Sequence, residues 1–166
     1  MSRALLGSAL GMAALLAAAP ATARDSLGIF DRWGAFRDLG VPRCYAIAKA
    51  EGSPGHADEF QPYFTVGVWP RRGVRAEVHV RLAQRLAPGG PVTLSLGGQK
   101  FDLVAGQADA WAQDARMDAA IIAALRGGGE MAVSARAANG RTFRDTFRLS
   151  GAASAIDAAA LGCSGV

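Results

Sequence analysis

Along residues 75–82, RAEVHVRL, apolar and charged side chains alternate without a break. Ala76, Val78, Val80 and Leu82 fall on one side, and Arg75, Glu77, His79 and Arg81 on the other. A strand's side chains repeat every two residues, so this run predicts a strand with one buried and one charged face. Similar short runs occupy 33–37, 43–49 and 63–69, and return at 92–96 and 100–105 after the Pro88-Gly89-Gly90-Pro91 break. No βαβ alternation and no long-period repeat accompanies them. The pattern predicts an all-β fold, a β-sandwich or open barrel of short antiparallel strands.

Register fixes two hairpins. In VTLSLGGQKFDL a two-residue Gly97-Gly98 turn sets Leu96 against Gln99, Leu94 against Phe101 and Val92 against Leu103, which gathers the apolar residues on one face. In MAVSARAANGRTFRDTF the two-residue Asn139-Gly140 turn fails, because it pairs Phe143 with Arg136. A three-residue loop, 138–140, pairs Phe143 with Ala135 and Phe147 with Met131, with Gly140 in the left-handed position. Asp145 then shares a face with the two phenylalanines and, if buried, needs a partner.

Two short helices complete the pattern. Met117, Ile121, Ile122 and Leu125 stand at helical spacing before the Gly127–Gly129 stop, which puts one helix before the last hairpin. The second covers 152–161, with Gly162 as its stop and Cys163 beyond it.

The first 23 residues read differently. Arg3, a charge-free apolar stretch over 4–19 and the Ala21-Thr22-Ala23 tripeptide have the form of a secretory signal peptide cleaved near Ala23. That stretch is shorter than the roughly 18 residues a membrane span needs, and no later segment approaches it. Residues 24–166 then suffice for a single domain with one core, periplasmic or secreted. Export also bears on Cys44 and Cys163, the only two cysteines. An oxidising compartment favours their pairing. The loop so closed is worth about 4–5 kcal/mol by chain entropy.

The formal charge is +4 and the pI about 9.7, with Lys49 and Lys100 the only lysines among 18 basic residues. Such a balance suits an anionic envelope surface. Nucleic acid is not expected, since the chain is exported and has no recognisable binding module.

The order of these features resembles the invasion-associated locus B family of exported α-proteobacterial envelope proteins. The resemblance runs from WGAFRD and RCYAIAKA through VRAEVHVRLAQRLAPGGPVTLSLGGQKFDL to AALRGGGEMAVSARAANGRTFRDTFRLSGAASAIDAA. The family commonly has a cysteine where this chain has Arg37, and a cysteine pair where it reads ADAWAQDARMD. The resemblance implies an all-β periplasmic or surface protein, and it carries over no catalytic residue.

Candidate chemistry is sparse. His79, with Glu77 on the same strand face, is the sharpest single residue, and with His56 it defines the alternative of a periplasmic hydrolase or metal-dependent enzyme. A histidine on a solvated face is the simpler expectation. Arg71, Arg72, Arg75 and Arg81 form a candidate anion-binding patch, since guanidinium forks suit carboxylate and phosphate. Trp33, Trp69 and Trp111 read as core anchors, with Trp69 beside Pro70 the one most suited to contact. No nucleophile elbow or phosphate loop is present, and Asp114 and Asp118 stand where a helix start accounts for acidic residues. The expectation is an exported, non-catalytic envelope accessory or binding protein without cofactor or metal, whose partner is another envelope protein or an anionic envelope surface.

Overall fold

A computed structural model describes residues 24–52 and 58–165. The strands are β1 (Arg24–Phe30), β2 (Trp33–Asp38), β3 (Arg43–Lys49), β4 (Tyr63–Trp69), β5 (Val74–Arg81), β6 (Val92–Leu96), β7 (Gln99–Ala105), β8 (Asp109–Trp111), β9 (Glu130–Arg136) and β10 (Thr142–Arg148). The helices are α1 (Ala115–Leu125) and α2 (Ala152–Gly162), and a 3-10 turn, Pro70–Arg72, links β4 to β5. All pairings are antiparallel, in the order β1-β2-β3-β4-β5-β8-β7-β6-β9-β10. This is a mostly-β fold, one sheet curled into a half-barrel, so the open barrel and not the sandwich forms.

The inner face carries the apolar half of each alternating run. Phe64, Val66, Val78, Val80, Leu94, Leu96 and Phe147 are all buried there. Helix α1 adds Ile121 and Leu125, and α2 lays Ala152, Ala155, Ile156 and Ala159 against β1 to β4. Small side chains bring that helix close to the sheet but bury little area each.

Three contacts draw the two ends of the sheet together. Trp33 Nε1 donates to the Arg148 carbonyl at 2.9 Å, and Glu51 N–H donates to the Thr146 carbonyl at 2.8 Å. Gly151, with φ 88°, packs so tightly on the Phe30 carbonyl that a Cβ there would lie 1.7 Å from its oxygen. Any side chain at 151 would therefore force this junction apart. Trp33, Phe64 and Phe147 meet edge to face, with centroids 6.1 and 6.0 Å apart.

Both hairpins take the expected register, Leu94 facing Phe101 and Phe143 facing Ala135, with Gly140 at φ 82°. Asp145 is fully buried and its Oδ2 accepts from Ala83 N–H at 3.0 Å. Two strands escape the alternation. In β1 a register shift between Ser26 and Gly28 breaks the period of two, and β8 has only three residues. Gly162 continues α2 instead of ending it. Trp111 is not a core residue, because β8 turns its side chain outward.

Cys44 and Cys163 are joined, with Cα atoms 5.8 Å apart, tying β3 to the end of α2. Leu161 is 72% exposed, so Ile156 is the one large side chain α2 contributes to the core. Replacing both cysteines by alanine should cost about 2–4 kcal/mol in denaturant unfolding. A reductant should reproduce the loss in the parent, whereas a native free-thiol count of two would contradict the bridge.

Candidate functional site

The polar half of each run lies on the outer face, and register decides which side chains meet. Ile47 faces Thr65, Thr65 faces His79, and His79 faces Trp111 in one row across β3, β4, β5 and β8. One step along, Tyr45 faces Gly67, which faces Glu77. In the other direction Tyr63 faces Arg81, which faces Asp109. Thr65 and Gly67 are small where Tyr45, Tyr63, Trp69 and Trp111 are tall. The result is a cleft of about 430 Å³, also lined by Arg24, Arg43, Glu77 and His79.

His79 is held on several sides. Its Nε2 lies 2.9 Å from Asp109 Oδ1, and the other Asp109 oxygen accepts from Arg81 Nη1 at 2.6 Å. Its Nδ1 stands 3.5 Å from Thr65 Oγ1, and the Trp111 and Tyr63 rings lie 5.2 and 5.8 Å away. This is a packed, hydrogen-bonded histidine, not a merely solvated one. Thr65, His79 and Asp109 have the order of a hydroxyl–imidazole–carboxylate relay. Thr65, however, sits in the middle of an interior strand, where backbone N–H groups belong to the sheet and are not gathered as an oxyanion hole.

At the other end Arg24 and Arg43 share Asp38, at 3.2 and 2.8 Å. Arg43 also lies over the rings of Tyr45 and Trp69, 4.7 and 5.2 Å from their centroids, and Arg72 caps Trp69 at 5.3 Å. The Tyr45 hydroxyl and Trp69 Nε1 are shielded and have no hydrogen-bond partner among the described residues. The Arg43 guanidinium is close enough to Tyr45 to act through its charge but misses hydrogen-bond geometry. Burial raises the Tyr45 hydroxyl above its ordinary value and Asp38 adds to this, while Arg24 and Arg43 pull it down.

Arg71, Arg72 and Arg75 cluster at the β4–β5 turn, but Arg81 stands six residues along β5 from Arg75, about 20 Å away. Arg81 is paired with Asp109 and stacked on Phe60 at 4.2 Å, so it does not join the other three. His56 lies outside the described residues. Among those described, no group of three His, Cys, Asp or Glu side chains could hold a metal ion. Asp114 caps α1 through Met117 N–H, and Asp118 instead accepts from Val78 N–H of β5 at 2.7 Å. The sequence reading missed Tyr45, Arg43, Asp109 and Trp111 as site residues. Outward alternation marks the first two, but only the β5–β8 pairing, which skips two strands, adds the others.

The Tyr45 environment has a direct readout. In an ultraviolet pH titration Tyr45 should ionise above the usual tyrosine range, and stability present below about pH 10 should fade as the pH rises through that elevated value. Arg43→Gln should move the ionisation higher and Asp38→Asn lower. The opposite order would refute this account of the site's charges.

No curated protein and no solved structure matches the chain. One family model does, that of the invasion associated locus B (IalB) protein, over residues 63–160, from the start of β4 into α2. That match takes in more than half of the chain, together with the glycine hairpin, α1, the last hairpin and most of α2. The chain belongs to the invasion associated locus B family.

Proposed function

We propose that this protein is exported through a signal peptide over residues 1–23 and works, without catalysis, as a binding protein of the cell envelope, in the periplasm or released. The observation that carries the reading is the outer-face cleft, where aromatic side chains surround two shielded polar atoms that have no partner among the described residues. A buried polar group left unpaired costs about 1–3 kcal/mol, which a ligand supplying the missing partner recovers. Aromatic walls with a few placed polar groups are the usual composition of a ligand site.

A second reading, a hydrolase acting through His79, draws on the Thr65–His79–Asp109 alignment. The lack of a built oxyanion site beside Thr65 weighs against it, and so does the Arg81 guanidinium already on Asp109. For partners, another envelope protein or an anionic surface at the Arg71, Arg72 and Arg75 cluster fits the basic balance of the chain.

Two measurements test this. N-terminal sequencing of protein recovered from the envelope should begin at Arg24. Titration with separated lipid, glycan and protein fractions of the envelope should change the tryptophan fluorescence saturably for one fraction, with at least a tenfold loss in Trp111→Ala. No response to any fraction would overturn the binding reading, as would turnover of ester, phosphoester or glycoside substrates that disappears in His79→Ala.

A further inference from the structure

We infer that the ligand of the outer-face cleft is a neutral glycan, one sugar ring lying against Trp111 and further hydroxyls of the glycan reaching Tyr45 and Glu77. This deepens the reading of the cleft as a binding site and rests on it.

The charges come first. Arg24 and Arg43 bring two positive charges to one end, and Asp38 between them returns one negative. Glu77 lines the same cleft and has no ion-pair partner among the described residues, which returns the second. Asp109 and Arg81 cancel at the far end. The lining is therefore strongly polar and of mixed sign, two guanidiniums set against the Asp38 and Glu77 carboxylates, with the Arg72 guanidinium over Trp69 at the rim. A phosphate or carboxylate ligand would meet the Glu77 carboxylate, while a cation would meet the two guanidiniums.

Shape and unsatisfied groups narrow the chemistry further. Trp111 is 37% exposed, its ring tilted against His79 at 5.2 Å, and His79 separates it from the small floor residue Thr65 in the same row. A pyranose has a flat C–H face and a rim of hydroxyls, so it can lie on an aromatic plane and hydrogen-bond sideways at once. Tyr45 is 5% exposed and its hydroxyl has no partner among the described residues, while Trp69 Nε1, likewise without one among them, lies over Gly67 on the floor. Arg24, whose side chain is 59% exposed, lies over the Tyr45 ring at 5.7 Å, and its swing toward solvent would open the hydroxyl to a ligand. Hydroxyls both donate and accept, so a glycan satisfies Tyr45 and Glu77, which flank Gly67 in one register row, together. An acyl chain would leave both unmet.

The test uses the full chain without residues 1–23 and four probes, followed by tryptophan fluorescence and calorimetry. The probes are cellobiose, N,N′-diacetylchitobiose, digalacturonate and inorganic phosphate, and phosphatidylglycerol vesicles serve as a lipid control. At least one neutral disaccharide should bind saturably, more tightly than digalacturonate, phosphate or vesicles. Trp111→Ala should weaken it at least tenfold. Tyr45→Phe keeps the ring and deletes the hydroxyl, so it carries the test even if the tryptophan variant folds poorly, and it should weaken binding about tenfold. Glu77→Gln should let digalacturonate bind. Silence toward both disaccharides, with phosphate, vesicles or an envelope protein fraction binding through Trp111, would overturn the glycan and leave the binding cleft standing. Silence toward every probe and every fraction would overturn both.

Discussion

A curled sheet with one apolar face has to bring its two ends together, and here that closure falls on the junction of Trp33, Phe30 and the segment 148–151. The Trp33 indole bonds the last carbonyl of β10, Gly151 rests on the carbonyl of Phe30, and the Ser150 hydroxyl donates to the Asp31 carboxylate. Trp33, Phe64 and Phe147 fill the space behind the junction. With the apolar side chains consumed inside, the large residues on the other side of β3, β4, β5 and β8 have no internal partner to bury against. They build the cleft instead. Inner-face closure and outer-face chemistry are two results of one alternation.

Much of this was legible because a period of two is a strong local signal. The RAEVHVRL run, the two hairpin registers and the buried position of Asp145 all follow from which residues must share a face. The misses have physical causes. Gly28, at φ 145°, bends β1 out of its alternation, and three residues are too few to show a period in β8. Missing β8 also meant missing Asp109 and Trp111, the two residues that turn His79 from a surface side chain into part of a network. Within one strand the sequence shows the face. Which strands become neighbours depends on the sheet as a whole.

The arginines likewise changed meaning in three dimensions. A pI near 9.7 suggests an open basic surface. Several guanidiniums are instead laid over rings or locked to carboxylates: Arg43 on Tyr45 and Trp69, Arg81 on Phe60 and Asp109, Arg85 on Phe60 and Glu59. Arginine suits this double duty because its plane stacks while its edge donates. In this chain part of the excess charge supports the aromatic walls, while exposed arginines remain at the β4–β5 turn and along β9 and β10.

The Cys44–Cys163 tie spans 119 residues. Its first sulfur sits between Arg43 and Tyr45, which with Ile47 form the β3 wall of the cleft. A chain made from the N-terminus onward therefore completes β1, β2 and β3 long before α2 exists to cover their apolar side. Contacts of such long range close slowly, and an uncovered sheet invites pairing with other chains while it waits. The arrangement makes maturation strongly directional. The strand that shapes one wall of the cleft appears early and is fastened late, so the interval before oxidation is when this protein most needs shelter from aggregation.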